Sequence, residues 1–170
     1  MTTAHYARAL LARHEGLVSR LAADSEGLTI GYGRNVILRP LDEEEWRALF
    51  AWGLSVSADG AASIKPEFAD WVRERDIARG EKFCSRWRGW KEAGPARQAA
   101  LVDAFHAMGD GLGKFTKMRV ALGSGDYGRA GDELFDSNWG RHPLPGVRAR
   151  AKEVAEILRS GQMPEWYKEG

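Results

Sequence analysis

The sequence predicts an α+β fold in which a small β-containing N-terminal part is followed by a run of helices. Two periodicities carry that expectation. From Leu17 to Leu38 apolar residues alternate with polar residues and glycines, as in strands. From Pro66 onward they recur every three or four residues between Pro and Gly breaks. With 170 residues the chain is expected to form one domain, 1–170. Its first helix and β-containing lobe occupy about 1–65, and a linking helix with a helical lobe occupies about 66–170.

Residues 3–15 read as a helix: Thr2 or Thr3 can cap it, Tyr6, Leu10 and Leu11 fall at helical spacing, and Gly16 suits a left-handed ending turn. Leu28, Ile30 and Tyr32 alternate with Thr29 and Gly31 between turns at Gly27 and Gly33, which predicts a short antiparallel sheet. Asp42 and Glu45 form a capping-box pattern, opening a helix over 42–53 with Trp46, Leu49 and Phe50 on one face. Residues 54–65 read as a flexible loop.

Pro66 suits a first helical position, and Phe68, Trp71 and Val72 begin an amphipathic segment weakened toward its end by Gly80, Gly89 and Gly94. Pro95 opens a stronger helix bearing Leu101, Val102, Phe105 and Met108, closed by Asp110-Gly111-Leu112-Gly113. Shorter helices near 115–122 and 126–136 flank Gly123-Ser124-Gly125. A last long helix carries Val147, Ala151, Val154 and Leu158 up to Gly161.

Lysine and arginine number 25 against 24 acids, so the net charge of +1 gives no global attraction to nucleic acid. The charge is uneven, with 14 basic and 11 acidic residues after residue 85 but 11 and 13 before it. That asymmetry could help grip an anionic polymer; an ordinary mixed surface explains it equally well. Cys84 is alone, which rules out an intrachain disulfide and fits synthesis in a reducing compartment. His5, His14, His106 and His142 show no metal-ligand spacing, so neither metal nor cofactor is expected. The first thirteen residues lack the apolar core of a secretory signal, and no apolar run reaches the ~18 residues of a membrane span. Cytoplasmic synthesis without stable membrane insertion is the expectation.

Chemistry concentrates at His14-Glu15-Gly16 and at 24–35. Glycoside hydrolysis needs a proton on the leaving oxygen and a second carboxylate to activate water or support the oxocarbenium-like carbon. Glu15 falls in the last turn of its helix, where the dipole's negative end disfavours a carboxylate, and burial in a cleft adds to that. Asp24, on a loop beyond the first strand, can stay ionised and activate water, which the Thr29 hydroxyl can hold. Singly each has a plainer reading: a surface glutamate, a turn aspartate, a strand threonine. Their combination in this order is what points to chemistry.

Residues 10–35 resemble the catalytic segment of the tailed-phage lysozymes, the endolysin muramidases of glycoside hydrolase family 24. Glu15-Gly16, Asp24 nine residues on, and Thr29-Ile30-Gly31-Tyr32-Gly33 followed by Arg34-Asn35 carry the likeness. Residues 97–105 are similar to the family's central helix, and Gly125-Asp126-Tyr127, Asp136-Ser137-Asn138-Trp139 and Arg150-Ala151-Lys152 to landmarks of its C-terminal lobe.

The resemblance implies a two-lobed lysozyme-like fold cleaving the bond between N-acetylmuramic acid and N-acetylglucosamine. Glu15 would be the general acid, Asp24 would place the water with help from Thr29, and Arg150 would orient Glu15. Asn35 and Phe105 would line the sugar cleft, although Phe105 also reads as a core aromatic. Family members invert, which implies about 6.5–9.5 Å between the two carboxyls. A cation beside Glu15 opposes the dipole and burial on its pKa. The implied partner is the peptidoglycan glycan strand, bound by a monomer that reaches the wall through a holin, a virion or another delivery route.

The chain departs from the pattern at Ala22, where the family has Tyr. Phe105-His106-Ala107-Met108-Gly109 is one residue longer than Phe-x-x-Gly, and His142-Pro143-Leu144-Pro145 extends the turn before Arg150, making Arg148 a fallback partner. Residues 54–92 lie outside the likeness and hold Arg86-Trp87-Arg88-Gly89-Trp90-Lys91. These aromatics could pack inward, stack on sugars, or stack on bases. A lytic transglycosylase, and a weakly catalytic or non-catalytic peptidoglycan-binding domain of a virion or toxin, are the alternative readings.

Overall fold

The computed structural model of the chain describes residues 1–24, 27–37, 39–58 and 60–168, with backbone alone for 20–24, 27–28 and 168. The fold is α+β. It divides into two units, Leu11–Asp76 and Met1–Leu10 with Ile77–Gly170.

The first helix, α1 (Thr3–Glu15), starts where the Thr2 hydroxyl accepts the His5 amide at 3.3 Å. In the unit Leu11–Asp76 five antiparallel strands follow: β1 (Val18–Asp24), β2 (Gly27–Gly31), β3 (Arg34–Asn35), β4 (Leu54–Val56) and β5 (Ala62–Ile64). They lie in the order β3-β2-β1-β5-β4. The 54–65 stretch, expected as a loop, is therefore largely a hairpin. Its Ser- and Ala-rich strands lack β-branched density, but Leu54 pairs with Ile64, and Ile64 is buried at 2% exposure. One apolar anchor and the pairing of Ser63 with Arg20 of β1 hold the hairpin to the sheet.

Helix α2 (Glu43–Ala48) has the expected capping box. The Glu45 amide donates to Asp42 Oδ1 and the Asp42 amide to Glu45 Oε2, each at 2.9 Å. The helix widens into a π turn over Leu49–Gly53, which splits the expected apolar face. Leu49 enters the core, while Trp46 and Phe50 stack on each other at the surface, ring centres 5.7 Å apart. Helix α3 (Pro66–Cys84) supplies Phe68, Ala69 and Val72, which close a core with Ile30, Leu41, Leu49 and Ile64.

Beneath that core lies a buried ion cluster. Arg34 Nη1 donates to Glu45 Oε1 (2.9 Å) and Asp76 Oδ1 (3.2 Å), and Nη2 to Glu45 Oε2 (3.0 Å) and the Pro40 carbonyl (2.7 Å). Its Nε donates to the Arg39 carbonyl at 3.1 Å, so all five guanidinium hydrogens are used. Arg34 is 3% exposed, Glu45 0% and Asp76 6%. Charges this deep persist only when paired and fully hydrogen-bonded.

In the second unit α4 (Trp90–Met108) breaks at Gly94 (φ 78°, ψ 162°), so the main helix starts at Pro95 as expected. Helices α5 (Thr116–Gly123), α6 (Tyr127–Phe135) and α7 (Pro145–Ser160) follow. Helix α3 runs through Gly80 because it packs closely on α4: a Cβ there would stand 3.1 Å from Val102 Cγ1 and 3.2 Å from Phe105 Cδ1. Arg97 donates to the Leu158 and Arg159 carbonyls at 2.9 and 3.1 Å, satisfying the end of α7.

Two outcomes follow from burial. Replacing Arg34 by Leu removes the guanidinium that two buried carboxylates share, leaving Glu45 to Arg75 and the Asp42 amide, and should cost about 3–5 kcal/mol in urea unfolding; a loss below about 1 kcal/mol contradicts the cluster's role. Burial pushes the Cys84 thiol from 9.0 up to about 12. At pH 8 its thiolate should be about a thousand-fold rarer than in the unfolded chain, and a thiol reagent should react correspondingly slowly until denaturant is added. The unfolded thiol ionises first, so this group's contribution to stability is full below pH 9 and is lost as pH rises toward 12.

Candidate active site

Glu15 is the last residue of α1, followed by Gly16 at φ 64°. Its carboxyl group lies against the backbone of Gly33, where the β2–β3 turn passes. Gly33 has φ 70°, and a Cβ built on it would run into the Glu15 carboxyl, 2.9 Å even from Cγ. The second glycine of Gly31-Tyr32-Gly33 therefore has two jobs. It takes a left-handed turn that L side chains resist, and it leaves room for a carboxylate. The sequence shows the first job only.

Thr29 lies on β2, its backbone opposite Ala22 of β1 on one side and Asn35 of β3 on the other. Thr29 and Asn35 are both half-buried. Asn35 Oδ1 accepts the Ile37 amide at 3.0 Å, which shapes the exit of β3. Asp24 ends β1, its backbone paired with Gly27. It is thus on the strand's last residue and not on a loop beyond it. The side chains of Asp24 and Ala22, and with them the carboxyl separation and the Tyr-to-Ala departure, lie outside the described residues.

Tyr32, between the two glycines, is fixed from α3. Its hydroxyl donates to Asp70 Oδ1 at 3.0 Å, Arg73 lies over its ring at 4.3 Å, and Arg73 pairs with Asp70 at 2.8 Å. Burial, and then the bond to Asp70, raises the phenol above its ordinary pKa. The turn that touches Glu15 is thus gripped at Tyr32 and, one residue past Gly33, at Arg34. Sequence reasoning did not single out Tyr32, Asp70 or Arg73. The spacing of Asp70 and Arg73 on one helix face was the available signal.

The remaining expected site residues belong to the other unit. Arg150 makes a bidentate pair with buried Asp103, Nε to Oδ2 and Nη2 to Oδ1, both 3.0 Å. Arg148 instead donates to the carbonyls of His142 and Pro143, both at 2.9 Å, and so holds the extended turn before α7. Phe105 packs on Phe83 with ring centres 4.8 Å apart and remains half-buried. Among the described residues no group of three His, Cys, Asp or Glu is placed to hold a metal ion.

No family model matches the chain. The chain is similar to the pre-baseplate central spike protein Gp5 of Enterobacteria phage T4, with 30% identity over 165 residues. The alignment takes in 92% of this chain but 28% of that protein, so the chain spans less than a third of the length of the curated relative it matches.

Proposed function

We propose that the chain is a peptidoglycan hydrolase, a muramidase that cleaves the β-1,4 bond between N-acetylmuramic acid and N-acetylglucosamine. The observation that carries this reading is the seating of the Glu15 carboxyl on Gly33. It fixes an acid at a helix C-terminus, beside the strand that bears Thr29. Glu15 gives its proton to the leaving glycosidic oxygen. Asp24 takes a proton from water as that water attacks the anomeric carbon, and Thr29 holds the water. Arg150 keeps the orienting role that the family resemblance implies. No cofactor enters. The likeness to a pre-baseplate central spike protein supports a place in a phage particle, the glycan strand being the partner and nucleic acid having no part.

That same likeness also favours a second reading, a spike domain that binds the wall without cutting it. Purified peptidoglycan separates the two. Wild type should clear it and leave reducing ends, and Glu15→Gln should lose about 10²–10⁴-fold in kcat. No clearing by wild type supports the binding domain, and equal clearing by both removes Glu15 from its role. Anhydro ends would identify a lytic transglycosylase.

Gly33→Ala tests the seat itself. Displacing the carboxyl by about an ångström should lower kcat up to about a hundred-fold. The strained turn should cost about 1–2 kcal/mol in unfolding. A stability loss with kcat unchanged would show that Gly33 serves the turn alone.

A further inference from the structure

The Arg86–Lys91 stretch is not absorbed by this mechanism. Trp87 packs inward, 8% exposed, with its ring edge-on to Phe83 at 5.6 Å, while Arg86 and Arg88 face solvent. The loop is pressed onto α5. Gly89 has φ 85°, and a Cβ there would collide with the Leu122 carbonyl group, 2.8 Å from its carbon. Between loop and helix runs a groove of about 480 Å³ lined by Trp87, Arg88, Thr116, Arg119, Val120 and Ser124. That is the size of a small-ligand pocket; a protein interface is wider and flatter. Across Arg88 and Ser124 it continues into a second hollow of about 360 Å³ reaching Glu92 and Tyr127.

The first hollow has two guanidinium groups and, among the described residues, no carboxylate in its lining. Arg119 lies over the Trp87 ring at 5.2 Å and donates through Nη1 to the Gly113 carbonyl at 3.1 Å. Its Nε is buried with no hydrogen-bond partner. Arg88 has no hydrogen bond or ion pair among the described residues. Two guanidinium groups lining one groove repel each other. An anion in the groove would offset that repulsion.

We infer that this groove binds the anionic stem peptide of peptidoglycan, with a carboxylate between Arg88 and Arg119 and aliphatic carbons against Trp87 and Val120. The inference rests on the peptidoglycan reading. The peptide is favoured over the glycan because N-acetylmuramic acid loses its carboxylate when the peptide is attached. The polymer's negative charges then sit on the γ-linked glutamate, the diamino acid and the terminal alanine. A neutral sugar would leave both guanidiniums unmatched.

The test titrates the free stem tetrapeptide, alanyl-γ-glutamyl-diaminopimelyl-alanine, into isotope-labelled protein. Saturable amide shifts are expected across 86–90 and 116–124, with affinity about ten-fold weaker in Arg88→Glu and restored in Arg88→Lys. Missing shifts at millimolar peptide, or equal affinity in Arg88→Glu, overturn the proposal. On glycan strands stripped of peptide and with the freed muramic carboxylates converted to amides, wild type and Arg88→Glu should turn over at equal rates. Slower turnover by Arg88→Glu there also overturns it. Failure of both proteins to cut the stripped strands bears on Glu15 instead, and the peptide titration still decides the groove.

Discussion

The unit that carries the candidate acid depends on one buried cation. Arg34 follows Gly33 directly, and its guanidinium is bound by the start of α2 through Glu45, by α3 through Asp76, and by the carbonyls of Arg39 and Pro40. The 39–45 segment and the distant helix α3 thus meet on a single planar group. An ammonium could not replace it, because it offers three hydrogens where five are in use. Glu45 closes the capping box and also accepts from Arg75 at 3.2 Å. The signal that starts α2 and the counter-charge that holds the β2–β3 turn are therefore the same carboxylate.

What was legible in the sequence is what is local in it. The capping box and the helix starts at Pro66 and Pro95 are each fixed within a dozen residues. Such features follow from backbone stereochemistry. The ion cluster was not legible: Arg34 meets Glu45 eleven residues on and Asp76 forty-two residues on. An arginine after a glycine turn reads as a solvated charge. The β4–β5 hairpin escaped for a related reason, since its stability comes from Ile64 in a distant core and from the edge of β1, not from its own Ser and Ala residues.

In the helical unit the same economy of cations recurs in other forms. Arg97 ends α7, Arg148 ends the turn before it, and Arg150 is locked to Asp103 inside. The first two are spent on structure. Arg88, by contrast, stands exposed on a loop whose shape is set by Gly89 and not by the arginine's own contacts.

This contrast bears on how such a chain can change. Around Glu15 the positions that matter are not themselves reactive: Gly33 has no side chain to vary, and Arg34, Glu45 and Asp76 share one buried hydrogen-bond network, so a change at any of them disturbs the others. The seat of Glu15 is consequently frozen by its support. On the loop at 86–91, charge can be altered at the cost of surface electrostatics alone, usually within about 0.5 kcal/mol. Under the proposed function, a module that met different walls would be free to adjust there while the Glu15 turn stayed fixed. Affinity for the polymer and hydrolysis of its backbone would then answer to separate substitutions, the first to exposed cations and the second to glycine and buried ion pairs.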